Sequence, residues 1–327
     1  MKLTTILSSC AMVCSLLAAL SQPVQAQSRY PDKPVRMIVP ASPGSGPDAI
    51  GRMLGQKLAE AWGQPVVVEN VVGASGKIGH EQGAKAAPDG SVLLMGLFGP
   101  MSVSKSLGEK MNYDPVTDLA PVTLLGAFTN VLTVHPKIPA TNVAELVEYI
   151  KRNPGKVRYG HPGAGTSNHL SAELFNHLTG LKVEGVPYKS SGQMTTDLLG
   201  GHIEMMFHNA PVVLPYIRAG SMRGLAITSA RRNPAFPELP TLQESGVSGY
   251  EITPWYAMYV PAGTPGAVIA RLNESIAKAL AHPDITSWFQ AQGGIAGGGS
   301  PSDLAAFQAA ETVKWGQLVK ATNIKSN

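Results

Sequence analysis

The chain has 327 residues, 44% of them hydrophobic, and a formal charge of +4 from 26 basic and 22 acidic side chains. No basic run accompanies that small excess, so composition argues against a nucleic-acid partner and for nothing stronger than a tolerance of small acidic solutes. Both cysteines, Cys10 and Cys14, lie in the apolar N-terminal stretch. A processed chain therefore lacks disulfides, thiolate metal sites and cysteine nucleophiles.

The N-terminus begins with a basic Met1-Lys2, runs through the mostly apolar residues Leu3 to Leu20, and reaches the small-residue motif Val24-Gln-Ala26. This pattern reads as a signal peptide, residues 1–26, cleaved after Ala26, with the mature protein in the periplasm. Two competing readings are an uncleaved anchor, which has no basic stop-transfer cluster behind it, and a lipoprotein, since Leu7-Ser-Ser-Cys10 resembles a lipobox with a short apolar lead. About 300 residues remain, enough for two domains with ordinary cores. No later segment is long and apolar enough to span a membrane.

Val35 to Val39 reads as a buried strand. It runs into Pro40-Ala-Ser-Pro-Gly-Ser-Gly-Pro-Asp48, and a helix follows to Trp62 with Ile50, Met53, Leu54, Leu58, Ala61 and Trp62 on its apolar stripe and Asp48 as N-cap. Val66-Val-Val68 is a second strand, Gly73-Ala-Ser-Gly-Lys77 turns into another helix, and Ser91 to Leu97 is a third strand. The pattern then repeats. A helix from Asn142 to Arg152, capped by Asn142, precedes strand Val157 to Tyr159, the turn His161-Pro-Gly-Ala-Gly165 and a helix from Asn168 to Leu178. Short strands follow at Val183 to Val186, Ile203 to Phe207 and Arg223 to Thr228, with a helix near Gln193 to Leu199. Trp255 to Val260 returns to strand character, and the chain from Pro265 onward is mostly helix. Alternating strands and helices predict largely parallel sheets. Two α/β halves with the C-terminal helices packed back on the first give a bilobed molecule. Its ligand cleft lies where strand carboxyl ends from both halves meet.

The loop after the first strand is tuned for an anion: Gly44 and Gly46 allow a tight turn, Pro47 has no N–H to lose, and free amides point out at a helix N-terminus. Gly44-Ser-Gly46-Pro-Asp-Ala49 also spells the dinucleotide fingerprint, with Glu69 ending the next strand. The inserted Ala41-Ser-Pro43, the rigid and acidic Pro47-Asp48, and export all count against a nucleotide. Gly73-Ala-Ser-Gly-Lys77 has two spacers where a phosphate loop needs four, and reads as a strand-to-helix turn in which Ser75 and nearby amides can donate to a carboxylate. Gly163-Ala-Gly165-Thr166-Ser-Asn-His169 is the counterpart in the second half, with Thr166 and Ser167 both candidates to cap its helix. No G-x-S-x-G elbow occurs, and His135, His161, His169 and His177 share no triad spacing. His202 and His208 do not form H-E-x-x-H, so neither a metal nor a cofactor is expected. His169 packs or hydrogen-bonds behind its loop. Lys189 is either a cleft cation or solvated, Tyr188 and Trp255 line a pocket or fill core, and the Phe98 ring can face the ligand.

At these residues the chain resembles the Bug-type extracytoplasmic receptors of tripartite tricarboxylate transporters. The resemblance covers the chain from about Tyr30 onward. Its ordered motifs are Tyr30-Pro-Asp-Lys-Pro34, the Pro40–Asp48 loop, Val68-Glu-Asn70 with Gly73-Ala74 and Gly76, and Ala87-Pro-Asp-Gly90. Asn153-Pro-Gly155, Gly163-x-Gly165-Thr166-x-x-His169-Leu170, Val186-Pro-Tyr-Lys189 and Leu199-Gly-Gly201 follow, then Leu239-Pro-Thr241 with Glu244-x-Gly246, and Pro261-Ala-Gly-Thr-Pro265. It implies a Venus-flytrap receptor, a non-enzyme that closes on a small organic carboxylate and serves a permease or a sensor kinase. An exported hydrolase acting on a carboxylate is the alternative. It also implies that one carboxylate is gripped by backbone amides and ordered waters from the Ser42–Asp48 and Gly163 loops, with Asp48 fixing the waters and the helix start. Departures from the family pattern stand at Ala41, Ser45, Pro47, Val71-Val72, Ser190 and His208, the last where an acid is common.

The expected architecture is thus residues 27–127 plus 255–327 as one lobe and 128–254 as the other, in a monomer. The chain should cross between lobes near Gly126 to Asn130 and Thr253 to Trp255. The expected ligand contacts are Ala41, Ser42, Pro43, Gly44, Ser45, Gly46 and Asp48 on the first loop, and Ala74, Ser75 and Phe98 beyond it. Gly163, Gly165, Thr166, Ser167 and His169 supply the second lobe's loop, and Tyr188, Lys189, His208 and Asn209 complete the set.

Overall fold

Strand β1 (Val35–Val39) is buried at Val35, Met37, Ile38 and Val39, while Arg36 is half-exposed. The computed structural model describes residues 30–322 and residue 324. The expected signal peptide and its expected cleavage site lie outside the described residues. One compact unit, Lys33–Asn327, carries both sheets.

The first sheet has six strands in the order β11-β4-β10-β3-β1-β2. Beside β1 these are β2 (Val66–Asn70), β3 (Val92–Leu97), β4 (Leu119–Phe128), β10 (Trp255–Pro261) and β11 (Gly294–Gly298). The second has five, β7-β6-β8-β5-β9, made of β5 (Asn130–Val134), β6 (Arg158–His161), β7 (Glu184–Pro187), β8 (Met205–Asn209) and β9 (Arg223–Ile227). The chain leaves the first sheet at Thr129 and returns between Ile227 and Trp255. The two crossings are tied together. Thr228 N–H donates to Thr129 Oγ1 at 3.1 Å, and Asn130 N–H donates to Thr228 Oγ1 at 2.9 Å.

The sheets are less parallel than predicted. β1, β2 and β3 run parallel, as do β6, β7 and β8, but β10 is antiparallel to both β3 and β4, and β5 is antiparallel to both β8 and β9. Each reversed strand enters its sheet directly from the other half, without a helical crossover to turn it around.

Helix α1 (Gly46–Trp62) packs on the first sheet through Ile50, Leu54 and Leu58. It comes close because Gly51 faces Val39: a Cβ there would sit 2.8 Å from the Val39 methyl. Two further helices of that half are α2 (Lys77–Ala84) and α3 (Phe98–Ser102), and the second half adds α4 (Val143–Arg152), α5 (Ser167–Thr179), α6 (Ser191–Leu199) and α7 (Ala210–Arg218). The C-terminal α8 (Gly266–Leu280), α9 (Pro283–Ala291) and α10 (Pro301–Thr322) return to the first sheet, with β11 between the last two. Asn142 caps α4 as predicted, accepting from Glu145 N–H at 2.9 Å.

Candidate functional site

The loops after β1, β2 and β3 meet those after β6, β7 and β8 around a cavity of about 500 Å³. All six strands point their carboxyl ends at it, the position where open α/β sheets bind ligands.

In the first loop, Asp48 is not the N-cap. Ser45 takes that place with extended backbone angles, and Asp48 is the third residue of α1. It is 4% exposed, and its carboxylate reaches back to accept from Gly44 N–H at 2.9 Å, Asn70 Nδ2 at 2.9 Å and Arg52 Nε at 3.1 Å. Burial pushes its pKa up, but the hydrogen bonds from Arg52, Gly44 and Asn70 outweigh it and hold the carboxyl below its usual range. Asn70 also donates to the Ala41 carbonyl at 3.0 Å. Asp48 therefore braces the loop from behind and does not border the cavity; Pro43, Gly44 and Gly46 likewise stand back from it. Ala41, Ser42 and Ser45 do border it, with Pro40 and Pro47 beside them.

Glu69, the acid of the dinucleotide pattern, is occupied by Arg36 through contacts of 2.6 and 2.9 Å. Lys77, the phosphate-loop look-alike, is bound to Glu109 at 2.7 Å. Neither side chain is free to serve a nucleotide.

The second loop places Ala74 (φ 47°) and Ser75 (φ 59°) in succession in the left-handed region. For residues with a Cβ this costs of order 1–2 kcal/mol each; the turn is closed by Gly76 N–H donating to the Gly73 carbonyl at 2.9 Å. Ala74 and Ser75 border the cavity, flanked by Gly73 and Gly76. Phe98 borders it too, but its ring is 2% exposed and packs edge-on to Trp315 at 4.9 Å and Trp255 at 6.4 Å. The ring belongs to the core, as does Trp255.

In the second half, Thr166 rather than Ser167 caps α5: its hydroxyl donates to the Gly163 carbonyl at 2.7 Å and accepts from His169 N–H at 3.5 Å. Gly163, Thr166 and Ser167 border the cavity; Gly165 and His169 do not. The two imidazoles behind the loop hold it in place. His161 Nδ1 accepts from Gly163 N–H at 3.2 Å and His169 Nδ1 from Gly165 N–H at 3.4 Å, with the rings 4.8 Å apart. Burial lowers both pKa values; for His169, burial with His161 alongside brings it to about 4. Both rings are thus neutral acceptors near pH 7.

Tyr188, Lys189, His208 and Asn209 all border the cavity. The Tyr188 hydroxyl is engaged with Asp197 at 2.8 Å. Asn209 donates to Asn130 Oδ1 at 2.8 Å and accepts from the Tyr256 hydroxyl at 3.2 Å. Tyr256, Asn168, Ser191 and Pro254 are lining residues that sequence reasoning missed. Asn168 and Ser191 had a signal, since each sits in the first turn of a helix that follows a strand. Tyr256 and Pro254 had none, because the returning chain reaches the cavity only through the tertiary fold.

The cavity wall offers the hydroxyls of Ser42, Ser75 and Ser167, helix-opening amides and the Lys189 ammonium, and among the described residues it contains no carboxylate. Such a wall offers an anion several donors and, among the described residues, offers a cation no carboxylate counter-charge. No group of three or more His, Cys, Asp or Glu among the described residues is placed to hold a metal ion. No helix among them is long and apolar enough to cross a membrane.

The family model described as the tripartite tricarboxylate transporter family receptor, TctC, matches residues 50–324. Protein BugT of Bordetella pertussis (strain Tohama I) is 38% identical over 309 residues, covering 94% of each chain. Among solved structures, R. palustris Rpa4515 with adipate is 35% identical with a TM-score of 0.88, covering 90% of this chain and 99% of that one. MatC (Rpa3494) from Rhodopseudomonas palustris with bound malate is 28% identical with a TM-score of 0.84, covering 89% of this chain and all of that one. The chain belongs to the tripartite tricarboxylate transporter receptor family and has its bilobed α/β fold.

Proposed function

We propose that this protein is a periplasmic receptor that captures a small organic carboxylate between its two lobes and delivers it to a tripartite tricarboxylate-type permease. The observation that carries this reading is the makeup of the cavity wall: donors from both halves converge there, and among the described residues one ammonium stands at the wall and no carboxylate faces in. Backbone amides at helix starts and in left-handed turns hold an anion without a counter-charge, because their dipoles are already oriented. The adipate and malate held by the two relatives are small organic carboxylates.

The lobes are assigned as residues 27–127 with 255–327, and 128–254, hinged at Thr129 and near Pro254. A solute touching both lobes stabilises the closed state by its differential affinity. The ligand contacts are assigned to Ala41, Ser42 and Ser45, Ala74-Ser75, Gly163 with Thr166-Ser167, and the Tyr188-Lys189 and His208-Asn209 segments; Asp48, Gly165 and His169 position those loops. Export with cleavage after Ala26 completes the proposal.

A thermal-shift and calorimetric screen of mono-, di- and tricarboxylates, aromatic acids and acidic amino acids tests it. A true ligand at about 100 times its Kd adds about 2.7 kcal/mol of stability. Failure of every acid to stabilise the protein overturns the receptor reading, and turnover of a bound acid converts it to an enzyme.

A further inference from the structure

Resting on the reading of a receptor that closes on a carboxylate, we propose that Tyr256 is a positioning residue that fastens the two lobes together. Its hydroxyl donates to Asn209 Oδ1 of the opposite lobe, and this bond slows release of the solute that the cavity holds.

Tyr256 lies on β10 of the first sheet and Asn209 ends β8 of the second, and their side chains meet at 3.2 Å. Both residues border the cavity, yet Tyr256 is only 4% and Asn209 only 5% exposed, so the bond between them is shielded from water. A hydrogen bond in such surroundings is stronger than one made in solvent. The Asn209 amide is held in register for it. Its Nδ2 donates to Asn130 Oδ1 at 2.8 Å, and Asn130 Nδ2 donates in turn to Ser171 Oγ at 3.1 Å. Asn130 and Ser171 are fully buried. With its nitrogen committed to Asn130, the amide presents its oxygen, which only accepts, to the first lobe. There the Tyr256 ring is set by Phe128, tilted against it with centroids 6.4 Å apart.

A second element of the first lobe meets the same oxygen. Gly46 opens α1, and a Cβ built on it would stand 3.1 Å from Asn209 Oδ1, so any side chain there would push the amide aside. Asn209 thus sits between β10 and the helix start that follows the first anion loop. Under the proposed hinge at Thr129 and near Pro254, opening the cavity draws β8 away from both. The hydroxyl and the amide then turn to water, so the bond belongs to the closed state and adds to the solute's own preference for it. It acts between the lobes and not on the solute, so it should strengthen the binding of every acid alike.

The experiment uses the mature chain with adipate, malate, benzoate and glutamate as probes, together with any tighter acid from the broader screen. Tyr256→Phe keeps the ring and removes only the hydroxyl. Calorimetry should show affinity weaker by about three- to tenfold for each acid that wild type binds, and stopped-flow fluorescence should place that loss in faster dissociation. The urea midpoint of the unliganded protein should stay at the wild-type value. Asn209→Ala removes the acceptor, so adding Tyr256→Phe to it should weaken binding no further. Four results overturn the latch while the receptor reading stands: unchanged affinity in Tyr256→Phe, a loss of unliganded stability with affinity intact, a loss for some bound acids and not for others, or an undiminished further loss in the double variant. If wild type binds none of the acids of the screen, both fall together.

Discussion

The backbone of Gly99, at the start of α3, lies so close to the carbonyl oxygen of Gly165 that a methyl group built on Gly99 would overlap it. Gly99 follows a strand of the first sheet and Gly165 one of the second, so under the proposed hinge closure this contact belongs to the closed state. Gly99→Ala should therefore act as a wedge. The unliganded protein should keep its thermal stability within a degree or two, and ligand affinity should fall about tenfold or more because the closed state is penalised. Calorimetry with the best carboxylate from the screen, together with small-angle scattering with and without it, reads this out. Unchanged affinity would show that closure does not need this approach.

Asp48 supports the first loop through three partners, Gly44, Arg52 and Asn70. Asp48→Ala strands Gly44 N–H and removes one of the two acceptors of Asn70 Nδ2, and we expect a loss of about 1–3 kcal/mol in urea unfolding with weaker binding but an intact fold. Because the folded pKa of Asp48 is depressed, its contribution is present above the unfolded value and is lost as pH falls through the folded one. An affinity equal to wild type would mean that the loop holds its shape without the brace.

The imidazoles predict an acid sensitivity. His80, His169 and His208 each have a folded pKa of about 4, and His161 is lowered too. These groups bind fewer protons folded than unfolded. Stability should be flat above about pH 6.5 and fall as pH drops toward 4, each ring contributing up to about 1.4 kcal/mol per pH unit. Denaturant titrations at half-unit pH steps should show this, with a shallower slope in His169→Asn. Ligand affinity should fall over the same range, since protonating His161 or His169 removes the acceptor that holds Gly163 or Gly165. A pH-independent stability from 6.5 to 4.5 would contradict the neutral, buried assignment.

Lys77 is structural. Its partner Glu109 has a side chain only 5% exposed, so Lys77→Met should destabilise the protein by about 2–4 kcal/mol by leaving a buried carboxylate unpaired. Nucleotides and inorganic phosphate should give wild type no thermal shift. A phosphate shift that Lys77→Met abolishes would restore the phosphate-loop reading.

Sequence alone was enough to identify β1 to β3, the second half's alternating pattern, the Asn142 cap, the Gly-rich loops at strand ends and the family. These rest on short-range physics: apolar period, side-chain capping within three residues, and turn chemistry. Other features had no local trace. β4 and β5 form a near-continuous extended run whose division between two sheets depends on pairing with β10 and β8. Gly294–Gly298 has little intrinsic strand tendency and becomes β11 only because β4 offers an edge, while α7 carries Pro211 and Pro215 and still forms. In the candidate site, the lining by Ala41, Ser42, Ser75, Gly163, Lys189 and His208 was legible, but the sorting of front from back was not. Asp48 turns away to Arg52 and Asn70, His169 to Gly165, and the Phe98 ring to Trp315, while Tyr256 arrives from the returning strand. Residue types along the chain determined that this protein can cradle an anion at its strand ends. Only the tertiary structure decided which side chains face the cavity, because that depends on partners far away in sequence.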